Sequence, residues 1–232
     1  MGTGEIVLIV VILLLIWAWN LPNVGSGLSR GMEEFKKASD QVAEEFHNAS
    51  GSEPVPKPMN LSSQFILWLA QGFGVGRIPF APGTFGSLVG LAWFWILLLP
   101  NSPLLFLVGI LASIFASVWL CGASEKILRQ RDPGSIVMDE IIAIPICFVS
   151  WIAILFFQKD FWPAPEYFFS EQNGVMTMGG FLLFRLFDIS KPWPVKQSQS
   201  LPGGWGVTVD DLLAAVYVNI AVLIILLVRG WA

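Results

Sequence analysis

The sequence predicts an all-α fold, a polytopic bundle of membrane helices preceded by one short membrane helix and one amphipathic helix. Three observations predict it. Of 232 residues, 55% are hydrophobic and only 13% charged, and the mean hydropathy of +0.68 exceeds what a soluble core needs. The apolar residues fall into runs separated by a few short polar clusters. The Lys and Arg residues collect on one side if each run beyond the first crosses once.

The first run, Ile6 to Trp19, is shorter than the roughly 20 residues of a comfortable span. It lacks a basic start and a small-residue cleavage site, so it is expected to be retained. Leu21-Pro22 breaks it. Val24, Leu28, Met32, Phe35, Val42 and Phe46 then recur at helical spacing, with Arg30, Glu33, Glu34, Lys36, Lys37 and Glu44 mostly off that stripe. This is the pattern of an amphipathic helix lying at a membrane surface. Residues 47–60, HNASGSEPVPKPMN, form a linker and hold the single histidine, His47, in a solvated setting. The expected organisation is therefore 1–46, linker 47–60, and a membrane domain over 61–232.

Within that domain the runs are Leu88–Leu99, Leu104–Leu120, Ile141–Phe157, Val175–Phe187 and Leu212–Val228, and Asn101-Ser102-Pro103 turns the first two into a hairpin. Several are shorter than a full span, so re-entrant or interfacial segments are admitted alongside crossings. With one crossing each, 11 of the 13 Lys and Arg residues share a side, and only Lys159 and Arg229 fall outside it. The positive-inside rule makes that side cytoplasmic. A net charge of −4 without a basic stripe excludes a nucleic-acid partner. Cys121 and Cys147 stand alone, with neither disulfide nor zinc spacing, and read as buried small hydrophobes.

Four polar clusters carry the chemistry: GFGVGRIPFAPGTFGSL (72–88), GSIVMDE (134–140), FRLFDISKPWPV (184–195) and GGWGVTVDD (203–211). An ionisable residue costs roughly 2.5–3.5 kcal/mol at the centre of a membrane helix, so such clusters mark function by default. Asp139 and Glu140 are expected in the first turn of a helix, about 100° apart, one facing a site and one held behind it. Complementing the helix dipole would also account for them. Arg185, Asp188 and Lys191 at steps of three share a helix face until Pro192 ends it, an arrangement that equally suits a salt bridge. Thr208 and Asp211 match a capping box, which leaves Asp210 unexplained. Gly72, Gly74, Gly76, Gly83 and Gly86, with Thr84 and Ser87, suit either a cradle of backbone N–H groups for phosphate or a tight turn into a helix.

What is missing narrows the reaction. No histidine nucleophile is available, no cysteine is followed by arginine six positions on, and no Asp-x-Asp suggests an aspartyl-phosphate. Carboxylates for a divalent metal and Arg and Lys for an anion remain. That set suits metal-assisted hydrolysis of a phosphomonoester with Mg²⁺.

In this order and spacing the four clusters resemble the phosphatidylglycerophosphatase A family over residues 61–228. The resemblance implies an Mg²⁺-dependent, multi-pass enzyme of the bacterial inner membrane with a cytoplasm-facing site. Its substrate would be an anionic phospholipid, phosphatidylglycerophosphate, and its product phosphatidylglycerol. It implies Asp139, Glu140, Asp188, Lys191, Asp210 and Asp211 as catalytic positions, with Asp139, Glu140, Asp188, Asp210 and Asp211 at the metal; from the polar clusters themselves, Arg77, Thr84, Ser87 and Arg185 are expected at the substrate. Ala214-Ala215 stands where the family commonly has Ala-Gly. Residues 5–37, including LPNVGSGLSRGMEEFKK, resemble the A-type subunit of the twin-arginine protein translocase, with Ile16-Trp17 where such subunits usually carry Phe-Gly. That second resemblance implies self-association or contact with a translocase through the N-terminal helices. It also supplies the rival reading, a translocase-related component with a regulatory or lipid-binding C-terminal domain.

Overall fold

All regular structure among the described residues is helical, as the composition predicts. The computed structural model describes residues 59–228 and Gly230. The short membrane helix, the amphipathic helix, His47 and nearly all of the linker lie outside the described residues. The helices are α1 (Leu61–Ala70), α2 (Pro82–Leu98), α3 (Pro103–Leu128), α4 (Met138–Ile146), α5 (Val149–Lys159), α6 (Pro165–Phe168), α7 (Gly174–Ser190), α8 (Val195–Ser198) and α9 (Gly204–Val228), with a 3₁₀ turn at Val75–Arg77.

Local chemistry sets several of these ends. Pro82 and Pro103 occupy first helical positions, where a missing N–H costs nothing. Ser102 caps α3 by accepting the N–H of Leu105 at 3.4 Å. Helix α7 stops at Ser190, with Lys191 left-handed at φ 42 and Pro192 unable to continue it. Lys191 therefore leaves the helix face that its spacing from Arg185 and Asp188 predicts.

Among the described residues, three segments are long and apolar enough to cross a membrane: α3, the broken pair α4–α5 over Met138–Lys159, and α9. Helices α2 and α7 have 17 residues each, about 26 Å at the α-helical rise, short of a hydrocarbon core of about 30 Å. Two of the five runs expected to cross thus fall short of that length. On α3 a lipid-type stripe of Leu104, Leu107, Leu111, Phe115 and Trp119 is exposed.

Helix α9 is the centre of the bundle, packing on α3, α4, α5, α7 and α8. Small residues make this possible. A Cβ on Gly204 would lie 1.9 Å from the Val118 carbonyl oxygen, and one on Gly122 would lie 3.0 Å from the Gly204 nitrogen. The hydroxyls of Ser117 and Thr208 hydrogen-bond across this contact at 3.0 Å. Thr208 is therefore not an N-cap. Helix α9 already begins at Gly204, four residues before Thr208 and just after the left-handed Gly203 at φ +58, and burial directs the Thr208 hydroxyl to α3. The α4–α5 break follows Pro145 and is held by Asn219 of α9. Asn219 accepts the Ser150 N–H at 2.8 Å and donates to the carbonyls of Ile146 and Ala215, satisfying groups that lipid could not. Toward the other end of α2, Phe94, Phe148, Trp151 and Phe168 are fully buried. Their rings meet at 4.9–5.0 Å.

Candidate active site

Polar side chains concentrate where the N-terminal ends of α2, α4 and α9 meet the C-terminal end of α7. A cavity of about 250 Å³ there is lined by Asp132, Asp139, Glu140, Asp188, Lys191, Asp210 and Asp211, with Gly134, Ile136 and Ile189. Six of these acids and the lysine come from three separate stretches of chain. All six residues expected to be catalytic line this one cavity.

The two acid pairs share a local geometry. Asp139 Oδ1 accepts the N–H of Glu140, and Asp210 Oδ1 accepts the N–H of Asp211, each at 3.1 Å. These bonds hold the first acid of each pair and leave the second to its neighbours. Asp210 is held further, since its Oδ2 accepts from Lys191 Nζ at 2.6 Å and from Gln199 Nε2 at 3.0 Å. By contrast Asp211 Oδ2 and Glu140 Oε2 are buried without a hydrogen-bond partner. A buried, unpaired carboxylate oxygen is costly, so these two atoms are where a ligand is missed most.

Two cations answer the acids in different ways. Arg185 pairs with Asp188 at 2.8 Å and with Glu140 at 3.6 Å, and donates to Ser87 Oγ at 3.2 Å. It braces the carboxylates from behind and does not line the cavity. Lys191 lies in the lining. Burial pulls its pKa down, but the Asp210 carboxylate, with Asp188 and Asp211, outweighs that and holds it above the ordinary lysine value. It is a permanent positive charge at neutral pH.

At Gly76, Gly83 and Gly86 the glycine-rich cluster follows the tight-turn reading and not the cradle. A Cβ on Gly83 would meet Glu140 Oε1 at 2.1 Å and Arg185 Nη2 at 3.0 Å, and one on Gly86 would meet Val137 Cβ at 2.7 Å. Gly76 lies equally close to the Ser135 carbonyl. These glycines let α2 and the 3₁₀ turn close on the start of α4, and their space is filled by protein. Of the residues expected at the substrate, Arg77 is exposed and donates to Gln71 Oε1 at 2.7 Å. Thr84 lies outside the lining. Ser87 is buried and donates to the Gly83 carbonyl at 2.8 Å, which positions its oxygen for Arg185.

Two lining or bridging residues escaped the sequence reading. Asp132 sits in the turn before α4 at φ 48, with no helical neighbour to mark it. Gln199 follows α8 and touches Asp210 only through the fold. Neither carries a local signal.

The donor set fits Mg²⁺. Among the described residues no three of His, Cys, Asp and Glu converge into a ready cage. Mg²⁺ does not need one, because it keeps several waters and binds through one or two carboxylates plus substrate phosphate. Six acids against Lys191 in the lining, and two orphaned oxygens, leave negative charge for a hard cation to balance.

Residues 68–226 match the family model described as Phosphatidylglycerophosphatase A, and residues 1–45 match the mttA/Hcf106 family. Phosphatidylglycerophosphatase A of Escherichia coli (strain K12) is 33% identical over 149 residues, which cover 64% of this chain and 76% of that protein. A protein of Bacteroides thetaiotaomicron that carries the provisional name phosphatidylinositol-3-phosphatase is 34% identical over 165 residues, covering 68% of this chain and 92% of its own. At the N-terminus, Sec-independent protein translocase protein TatA of Chlorobium phaeovibrioides is 47% identical over 58 residues, covering 25% of this chain and 84% of that protein. No solved structure matches the chain.

Proposed function

The chain belongs to the phosphatidylglycerophosphatase A family through residues 68–226, and on that premise we propose that it hydrolyses the terminal phosphate of phosphatidylglycerophosphate with Mg²⁺. The products are phosphatidylglycerol and inorganic phosphate. The observation that carries this reading is the pairing of two orphaned carboxylate oxygens with a fixed lysine in one cavity at the helix ends.

Each residue has a physical task in that reaction. Lys191 attracts the phosphate dianion and stays charged because Asp210 holds it. Arg185, locked by Asp188 and Ser87, keeps Glu140 aimed at the cavity. Asp211 Oδ2, without a partner, is free to take the proton of the attacking water. Water adds to phosphorus, the bond to the glycerol oxygen breaks, and that oxygen recovers a proton from a carboxyl in the lining. Glu140 and Asp139 would hold Mg²⁺, which when bound would supply charge neutralisation on the phosphate and a more acidic water. At the lining Ile189 is 69% exposed, and Trp193, four residues on, is 74% exposed. They offer an apolar lip for the acyl chains of a lipid substrate.

The inner membrane, with the site facing the cytoplasm, is the location that the Lys and Arg distribution supports. Residues 1–45 would add an anchor, with self-association or translocase contact as its further capacity.

A second reading concerns the headgroup. The relative that is 34% identical carries the provisional name phosphatidylinositol-3-phosphatase, and its implied substrate, phosphatidylinositol 3-phosphate, is also a phosphomonoester on a lipid. Phosphate release by the purified full chain from both lipids, with Mg²⁺ and with chelator, tests both points. We expect release from phosphatidylglycerophosphate to be the faster and to vanish with chelator. Faster release from phosphatidylinositol 3-phosphate would reassign the substrate, and full activity in chelator would remove the metal.

A further inference from the structure

Beside the catalytic cavity lies a second hollow that the proposed hydrolysis does not use. Two adjoining cavities, about 390 and 450 Å³, share Glu125, Arg131, Ser200 and Gly203. They form one groove between the C-terminal end of α3 and the loop from α8 into α9. At its inner end stands Asp132, which also lines the catalytic cavity. At its outer end stand Lys126, Arg129 and Arg131.

The groove's charges are unevenly committed. Glu125 Oε1 accepts the N–H of Asp132 at 3.0 Å. Arg131 donates to the carbonyl of Gln199, and the Gln199 side chain donates to Asp210, so Gln199 links the groove to the acids of the neighbouring cavity. Lys126 and Arg129 are exposed and form no ion pair among the described residues. Arg129 also occupies the left-handed cap of α3 at φ 53, a position that favours glycine or asparagine. Toward the lipid, Trp119 lies two helical turns before Lys126 on α3 and is 60% exposed. Across the groove, Leu201 is 40% exposed and Trp205 is 46% exposed.

We propose that this groove binds the phosphodiester headgroup of an anionic phospholipid that is not the substrate. Its phosphate lies against Lys126, Arg129 and Arg131, and its acyl chains run along the exposed apolar surface of α3. Basic pockets at the ends of membrane helices are suited to such headgroups by charge and by position. Free phosphate shares the headgroup's chemistry but leaves the apolar rim unused. The inference does not depend on which lipid is hydrolysed.

The test is lipid binding by the purified full chain, measured by native mass spectrometry during titration with phosphatidylglycerol or phosphatidylcholine. Three proteins are compared: the unaltered chain, the double variant Lys126→Gln with Arg129→Gln, and Lys191→Gln in the catalytic cavity. The double variant should lose phosphatidylglycerol affinity by about tenfold or more, Lys191→Gln should keep it, and phosphatidylcholine should not distinguish the three. A second double variant, Lys126→Arg with Arg129→Lys, keeps the charges and should bind as the unaltered chain does, which separates lost charge from a disturbed fold. Equal binding by the unaltered chain and the charge-removing variant would overturn the proposal. So would loss in Lys191→Gln alone, which assigns the lipid to the catalytic cavity. Displacement of the lipid by equimolar inorganic phosphate would make free phosphate the ligand and end the lipid assignment.

Discussion

Asp210 and Asp211 are neighbours with opposite situations. Asp210 is held by Lys191, Gln199 and the next backbone N–H, whereas Asp211 Oδ2 has no partner. Replacing Asp211 or Asp139 with Asn keeps the shape and removes a charge from the reacting centre. Turnover should fall by at least about a hundredfold, the scale of lost preorganised electrostatics, with the melting temperature little changed. Turnover within a few-fold of the unaltered chain would remove either residue from the reaction. A subtler residue is Gly83, where an added Cβ would meet Glu140 Oε1 and Arg185. Gly83→Ala should displace that pair and lower turnover on the order of tenfold to a hundredfold, although Gly83 is not in the cavity lining. An unaffected rate would mean that the Glu140–Arg185 pair is incidental.

At the scale of elements, close helix contacts and one side-chain clamp carry the architecture. The Gly204 Cβ position is occupied by backbone, the Val118 carbonyl, and backbone cannot swing aside as a side-chain tip can. Gly204→Ala should therefore cost about 1–3 kcal/mol or more through overpacking. Gly134→Ala, with nothing within 4 Å of the added atom, serves as the neutral control. Asn219→Leu leaves the Ser150 N–H and the Ile146 carbonyl unsatisfied in an apolar setting, at about 1–3 kcal/mol for each buried group. Thermal unfolding in detergent should rank the three as Gly134→Ala nearest the unaltered chain and both others well below it. A Gly204→Ala protein as stable as the control would show that α3 and α9 have slack.

Taken whole, the described bundle puts Arg77, Lys126, Arg129, Arg131, Arg185, Lys191 and Lys196 in or beside the loops at its site end, leaving Lys159 at the other. That asymmetry predicts sidedness. A Ser198→Cys protein with Cys121 and Cys147 replaced should resist an impermeant thiol reagent in intact cells and react in inverted vesicles. Labelling in intact cells would turn the site outward and defeat the orientation. Of the described Lys and Arg residues, only Lys191 lines the catalytic cavity, while three line the groove beside it. The molecule thus separates a negative, catalytic hollow from a more positive one within a single face.

Legible in the sequence were the helical class, the helix-ending prolines and five of the six acids around the cavity, Asp132 being the exception. These are local or compositional facts: a carboxylate beside an apolar run is costly wherever the run goes, and proline stops a helix whatever surrounds it. Which acids are satisfied and which are left open is settled by helix packing, because partners such as Lys191 with Asp210, or Arg185 with Glu140, meet through contacts that spacing along the chain does not encode. For the same reason Thr208, a capping residue by pattern, bonds to Ser117 on another helix, and Gly76, Gly83 and Gly86, which suit a cradle or a tight turn by pattern, have the space beside them filled by Ser135, Glu140 and Val137. Asp132 and Gln199 had no local signature and became part of the site when α3, α8 and α9 were brought together.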